Sequence, residues 1–264
     1  MITTKEFKEY CKKNNLRYEF EFEDSKYKWS NESLFIVLCK YGYIETIKWL
    51  YSLVNINIHS NDEEAFIESY SNEKIDIKEN GKIINIHINN EEAFRLSCYH
   101  GHLEVAKWLM EISKENGETI NIHIKNEEAF RLSCSYGHLE VVKWLMEISK
   151  ENGEMINIHI GNEDAFRSSC INGKIEVAKW LIKISIENGE MINIHASNDD
   201  AFKLCCYIGY IKVAKWLCNL CDDYYIEIED NKIVKYVIRK IYDGYLDENK
   251  GIKKIIKRLQ LKVI

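Results

Sequence analysis

The feature that most constrains this chain is a segment that it repeats. The stretch NNEEAFRLSCYHGHLEVAKWLMEIS begins at Asn89, and the nearly identical stretch NEEAFRLSCSYGHLEVVKWLMEIS begins at Asn126. A fixed period of this kind is typical of repeat architectures and has to be interpreted before any other pattern. Three independent markers recur every 36 residues: Trp108, Trp144, Trp180 and Trp216; Ala93, Ala129, Ala165 and Ala201; His87, His123, His159 and His195.

Two further copies stand upstream with altered spacing. Residues 31–49, NESLFIVLCKYGYIETIKW, match NEEAFRLSCYHGHLEVAKW position by position. Ala65 opens another copy, but Ala93 follows after only 28 residues, so this copy lacks a GHLEVAKWL segment. The chain therefore contains about six repeats, of which the second is truncated.

Each repeat is predicted to form two helices and an extended link. Asn90, Asn126 and Asn162 are placed to be N-caps, because their side-chain oxygens can accept a free backbone N–H. The alternating INIHI motif after the second helix predicts a short strand, and a turn-prone residue precedes the next cap. The first helix is expected to end at a glycine in a left-handed turn: Gly101, Gly137, Gly173 or Gly209.

The second helix of a repeat is apolar over a wide arc. On a helical wheel that starts at Leu103, apolar side chains fill roughly 140–340°. An ordinary surface helix needs an apolar stripe of about 100°. This width predicts a helix that neighbours cover on several sides, as in a stack, since one helix pair cannot bury its own apolar faces.

These segments resemble the ankyrin repeat family. GHLEVAKWL and GHLEVVKWL are similar to the GHLEVVKLLL segment of that family, and EEAFRLSC sits where the family has TPLHLAA. Here Glu-Ala replaces Thr-Pro, and the family's histidine becomes Arg95, Arg131, Arg167 or Lys203. The absence of proline and the many asparagines resemble the diverged ankyrin proteins of large DNA viruses and AT-rich protists.

The resemblance implies an all-α repeat solenoid of stacked helix-turn-helix ankyrin-type repeats with short β-hairpin links. We expect an N-terminal capping segment over residues 1–30, a repeat array over 31–230 and a C-terminal helical cap over 231–264. The last segment, NKGIKKIIKRLQLKVI, favours a helix with one apolar face, formed by Ile252, Ile255, Ile256 and Leu259.

Charge and composition narrow the class of partner. The net charge of −6 argues against a whole-protein affinity for nucleic acid. No apolar run reaches the roughly 18 residues that a membrane span needs. Nine cysteines, an odd number, favour reduced thiols and a cytoplasmic location, which is the host cytoplasm if the protein is viral. We expect a monomer.

The recurring polar and thiol side chains have structural interpretations. Opposite charges four residues apart, as in Glu91/Arg95, predict modest helix support. Cys218 and Cys221 form a C-x-x-C without the four ligands of a structural zinc site. The histidine row, which includes His59, favours hydrogen bonds that fix each hairpin to its neighbour over a metal ladder. Five cysteines at one repeat position are expected to be buried: Cys39, Cys98, Cys134, Cys170 and Cys206.

No catalytic signature stands out. The chain has no P-loop, no G-x-S-x-G, no H-E-x-x-H and no glycine-rich dinucleotide loop. We expect no cofactor, no metal and no small-molecule substrate. The leading hypothesis is a non-catalytic scaffold that binds another protein through its concave face and hairpin tips. The alternative is an adaptor that recruits a host or cellular complex through its terminal segments.

Comparison of the repeats with one another predicts the binding residues. Phe94, Phe130, Phe166 and Phe202 are constant, as packing positions should be, whereas the ends of the first helices and the hairpin tips vary. Tyrosine at such ends supplies large contact area at little entropy cost. The predicted site, centred on Tyr99, His100, Lys125 and Tyr136, consists of Asn89, Tyr99, His100, Lys125, Ser135, Tyr136, Ile171, Asn172, Ser197, Tyr207 and Ile208.

Overall fold

The structure is a computed structural model that describes residues 4–13, 31–53 and 85–239 of the chain. It divides into two compact units, Met1–Ala129 and Phe130–Ile264, which are described separately. The described residues contain eleven helices and two strands. None of these helices is long and apolar enough to cross a membrane.

The N-terminal unit consists of helices that pack in the order of the repeats. Its helices are α1 (Thr4–Lys13), α2 (Asn31–Tyr41), α3 (Ile44–Leu53), α4 (Ile88–Tyr99), α5 (Leu103–Glu115) and the start of α6 (Ile124–Tyr136). Helix α2 packs against α3 and directly against α4, and α4 packs against α5. The third repeat thus lies on the first. The truncated second copy, with His59 and Ala65, lies outside the described residues.

The C-terminal unit continues with helix pairs and ends in a hairpin. After the end of α6 come α7 (Leu139–Glu151), α8 (Ile160–Ile171), α9 (Ile175–Glu187), α10 (Ala196–Ile208) and α11 (Ile211–Leu220). Strands β1 (Tyr224–Glu229) and β2 (Lys232–Ile238) form an antiparallel pair. Helix α8 packs against α9 and α10, and α10 against α11, while β1 contacts α11 and β2 contacts α10.

The constant aromatic positions form the core of each unit. Phe94 and, in the other unit, Phe166 are fully buried. Each repeat tryptophan lies on a second helix, as its spacing predicts. The ring of Trp108 lies 6.2 Å from that of Phe35 in another repeat, and Trp216 lies 6.3 Å from Phe166 in the preceding repeat. One repeat's tryptophan therefore covers another repeat's core.

The glycines end the first helices as predicted. Their φ angles are positive, and the chain reverses there into the second helix: Gly101 (78°), Gly137 (86°), Gly173 (71°) and Gly209 (95°).

The predicted β-hairpin links are wrong for the described repeats, whose links contain no strand. The alternation in INIHI marks real burial, because Ile120 and Ile122 are buried while Asn121 between them is exposed. Backbone pairing is replaced by a local turn: the side-chain oxygen of Asn121 accepts the N–H of His123 at 2.9 Å. The same bond forms from His87 to Asn85, from His159 to Asn157 and from His195 to Asn193.

The expectation of a helical cap over 231–264 is also wrong where the structure describes it. Residues 232–238 form strand β2 instead. The β-branched residues Ile233, Val234, Val237 and Ile238 favour a strand, and Asp230 and Asn231 both have the positive φ angles of a tight hairpin turn. Residues 240–264, with the apolar face at Ile252, lie outside the described residues, as do residues 14–30.

Candidate functional site

The tip of each link is a left-handed turn of three successive residues. In the third repeat Asn89, Asn90 and Glu91 have φ angles of 54°, 58° and 61°. Three later repeats have the same geometry at residues 125–127, 161–163 and 197–199. The expected asparagine N-caps are therefore wrong, because these asparagines lie inside the turn. L-residues in this region carry strain, so other contacts must hold the turn.

A histidine and a carboxylate close each turn from the inside. Nδ1 of His87 hydrogen-bonds the Glu91 carboxylate at 2.9 Å. The equivalent pairs are His123–Glu127, His159–Glu163 and His195–Asp199, and all four carboxylates are buried. We predicted no acidic partner for the histidine row. The sequence does indicate one, because a carboxylate follows each of these histidines by four residues.

The buried carboxylate also reaches the following link. The Glu91 carboxylate accepts the backbone N–H of Asn121 at 3.3 Å, and the Glu163 carboxylate accepts that of Asn193 at 3.1 Å. Carboxylate and histidine together therefore fix one link to the next: Nε2 of His87 lies 2.8 Å from Glu118 of the following link, in line with the role predicted for the histidines.

The basic residue of each repeat holds the turn from the outside. In Arg95, Nε donates to the Asn90 carbonyl at 2.8 Å and Nη2 donates to the Asn89 carbonyl at 3.1 Å. Arg167 holds the carbonyls of Asn162 and Gly161 in the same way. These bonds tie the arginine side chains to the backbone of the left-handed turns.

The same arginines pair with an acid of the next repeat. Arg95 contacts Glu128, while Nη1 of Arg131 lies 2.5 Å from Asp164 Oδ2. In the last such pair, Nη1 of Arg167 lies 3.3 Å from Asp200. The predicted Glu91–Arg95 pairing within one helix is therefore wrong, because Glu91 pairs with histidine and Arg95 with the following repeat.

The last repeat changes this arrangement. Tyr224 stacks on Phe202 with ring centroids 4.1 Å apart, and its hydroxyl donates to the Asp199 carboxylate. Cys221 Sγ lies 3.9 Å from His195 Nε2, where Ser113 faces His87 in the third repeat at 3.2 Å. In the last repeat Tyr224, Cys221, His195 and Asp199 are all buried, so these are structural contacts.

The cysteines behave as small apolar side chains. The five that share a repeat position are buried, as predicted. Burial raises the pKa of Cys98 and Cys170 well above the ordinary thiol range. Burial also raises the pKa of Cys218, in the C-x-x-C, to about 11. The part of the chain that the structure describes has no group of three or more side chains able to hold a metal ion.

The predicted binding residues of the N-terminal unit are only partly exposed. Tyr99 and His100 are half-buried, with ring centroids 4.4 Å apart. Asn89 is also half-buried, and its amide donates to Glu92 at 2.8 Å. Lys125 is exposed at the tip of the next turn.

In the C-terminal unit the predicted residues form two rows. Asn172 donates to Ser135 at 2.9 Å, so the ends of α6 and α8 lie side by side. Asn162 donates to Ser197 at 2.9 Å, which places two neighbouring tips together. Ile171 is half-buried. At the helix ends, Tyr136 is 47% exposed, Ile208 50% and Tyr207 83%.

Leu204, which precedes these residues on α10, was not among the predicted binding residues. Leu204 is 37% exposed, although Leu96 and Leu132 at the same repeat position are half-buried. The available signal was that no further first helix of the same pattern follows α10.

Comparison with known proteins agrees with this architecture. A family model described as ankyrin repeats, in three copies, matches residues 35–158 and again residues 132–232. No curated protein matches the chain. The two matched ranges together cover most of its length, and the chain therefore belongs to the ankyrin repeat family.

Proposed function

We propose that this protein is a non-catalytic scaffold that binds another protein. Ankyrin repeats are generally protein–protein interaction modules, and the family is typically non-catalytic. The polar groups that recur in the described turns agree with a non-catalytic role, since the histidine, the carboxylate and the arginine there hold a turn or join repeats.

The binding surface proposed for the C-terminal unit comprises the helix-end row of Tyr136, Asn172, Tyr207 and Ile208. One observation carries this proposal: the constant phenylalanine of each repeat is buried, whereas the variable ends of α6 and α10 carry exposed large side chains. Phe130 and Phe202 are fully buried, whereas Tyr207 and Ile208 are among the exposed large side chains. Tyrosine is one of the residue types enriched among interface anchors, and Tyr207 is exposed here.

The chemistry of the row favours a protein partner. Tyrosine combines an apolar ring with a hydroxyl that can hydrogen-bond, and it loses little entropy when it is fixed. The Ser135–Asn172 pair adds an amide and a hydroxyl close to Tyr136. The row thus offers apolar contact with adaptable polar groups, the usual composition of a protein interface.

A pull-down with quantitative mass spectrometry tests the proposal. The double variant Tyr136→Ala/Tyr207→Ala should lose the main partner captured by the wild-type chain. Its thermal midpoint should stay close to that of the wild type, because both side chains are exposed. Tyr225→Ala is the matched control, since Tyr225 is 41% exposed on β1 and outside the row.

Unchanged capture by the double variant would reject this surface. If capture were instead lost on deletion of residues 240–264, the terminal adaptor would be the better hypothesis. We also propose a monomeric, cytoplasmic protein, which size-exclusion chromatography with light scattering and cell fractionation can test.

A further inference from the structure

The arginine–carboxylate pairs join the first helices of successive repeats. Arg95 and Arg167 bind the carbonyls of their own turns, and all three arginines contact a carboxylate 33 residues later, at the start of the next first helix. Arg131–Asp164 and Arg167–Asp200 show this twice within the C-terminal unit. A basic residue on one helix and an acid on the incoming helix thus mark the junction.

At α10 only the basic residue of such a junction is found within residues 85–239. Lys203 stands at the arginine position of α10, and its Nζ donates to the Asn198 carbonyl at 2.6 Å. The residue 33 positions later is Tyr236, which carries no charge. Within residues 85–239, no carboxylate lies within ion-pair distance of Lys203. Among these described residues the positive charge keeps its local bond and meets no acid of a following repeat.

The apolar side of the same junction is also incompletely covered. The hairpin covers Phe202, through the stacked ring of Tyr224 and an edge contact from Tyr236. It leaves Leu204, which follows Lys203 on α10, 37% exposed. The hairpin therefore replaces only part of the helix that would follow in a longer array.

We propose that the exposed face of α10 around Lys203 and Leu204 binds a helix of a partner protein that carries a carboxylate in its first turn and an apolar stripe after it. The charge of Lys203 complements that acid, and the face continues the junction already formed between α6 and α8 and between α8 and α10. This surface is distinct in composition from the helix-end row, since its selectivity depends on a charge pair.

A binding assay with a defined probe tests the inference. The probe is a fluorescein-labelled synthetic peptide of residues 157–187, which contain the helix pair α8 and α9, and its Asp164 is the natural partner of Arg131. Fluorescence anisotropy should show saturable binding to the full chain. Lys203→Glu should weaken binding about fivefold, the effect expected from one exposed ion pair. Lys215→Glu, the same change at an exposed residue of α11, should leave the affinity for the peptide unchanged.

A charge exchange makes the test specific. A peptide with Asp164→Lys should bind the wild-type chain about fivefold more weakly and recover with the Lys203→Glu protein. Three results would each overturn the inference. The wild-type chain could fail to bind the peptide, Lys203→Glu could bind it as tightly as the wild type does, or the exchanged pair could fail to recover the affinity. Because the probe is not the partner captured in the pull-down, these outcomes leave the helix-end proposal to be judged separately.

Discussion

Individual residues in the turns show how this protein tolerates an unfavourable backbone. Lys125 has a φ of 52°, and the equivalent residue in the next repeat is Gly161, with a φ of 65°. A side chain in the left-handed region costs about 1–2 kcal/mol, a cost that glycine does not carry. A histidine–carboxylate pair lies in each of these link turns, and Arg95, Arg167 and Lys203 bind carbonyls of their own turns; these contacts offset the strain.

The contrast between these two positions gives a matched pair of substitutions. Lys125→Gly should raise the free energy of unfolding by up to about 1 kcal/mol, because the exposed side chain is removed from a strained backbone. Gly161→Ala should lower it, since its Cβ would also lie 3.1 Å from the Cβ of Asp164. Urea unfolding measures both, and the same sign for the two variants would contradict the turn geometry.

His87 makes the stability of the N-terminal unit depend on pH. Burial lowers the pKa of His87, but the hydrogen bond and charge of Glu91 and the charge of Glu118 raise it more, so that the pKa lies above its ordinary value of 6.5. Nε2 of His87 lies 2.8 Å from Glu118. The stabilisation is therefore complete below the ordinary pKa and is lost as the pH rises through the raised pKa.

Thermal unfolding of wild type and His87→Gln tests this dependence. The advantage of the wild type should be largest near about pH 6 and should shrink towards about pH 9 as the imidazolium loses its proton. An advantage that stays constant or grows with pH would show that His87 is not held as a cation between the two carboxylates.

At the scale of the elements, a side chain of a later repeat packs against the glycine turn that follows the first helix of an earlier repeat. A Cβ added at Gly173 would lie 2.8 Å from the Cδ1 atom of Tyr210. The side chain of Lys174 covers Gly137 in the same way, and His102 covers Gly42 in the N-terminal unit. These contacts set the distance between successive repeats.

Two glycines separate backbone strain from this contact. Gly173 and Gly189 both have positive φ angles, but a Cβ at Gly189 would have no neighbour within 4 Å. Gly189→Ala should cost about 1 kcal/mol through the backbone alone, and Gly173→Ala should cost about 1–3 kcal/mol more. Adding Tyr210→Ala should remove the excess, and urea unfolding of the three variants would show whether it does.

The helices were predictable from sequence because their pattern repeats, whereas the connecting elements were not. Ile120 and Ile122 alternate with Asn121 as in a strand, but a strand also needs a pairing partner, which a single-repeat pattern does not reveal. The sequence Asp230–Asn231 favours a hairpin turn. We did not predict it, because in the other repeats a helix follows the link. Local alternation therefore identified burial correctly and backbone pairing wrongly.

At the scale of the whole molecule, the repeats identified the family, but they did not by themselves locate the binding site. The constant phenylalanines marked the core, because a packing position cannot vary without loss of stability. Variation at Tyr136 and Tyr207 correctly indicated exposure, but the half-buried Tyr99 shows that variation alone does not guarantee it. The ion pairs between repeats were missed because partners 33 residues apart are invisible to helix-spacing rules.

Site-specific photocrosslinking tests the central claim, that this ankyrin repeat protein binds another protein through the helix ends of its C-terminal unit. A benzophenone side chain placed at Tyr207 should crosslink a partner in cell extract, and the same group at Tyr225 should not. Competition by excess unlabelled wild-type chain, but not by the Tyr136→Ala/Tyr207→Ala variant, should abolish the adduct. A partner that crosslinks equally at both positions, or at Tyr225 alone, would contradict the account.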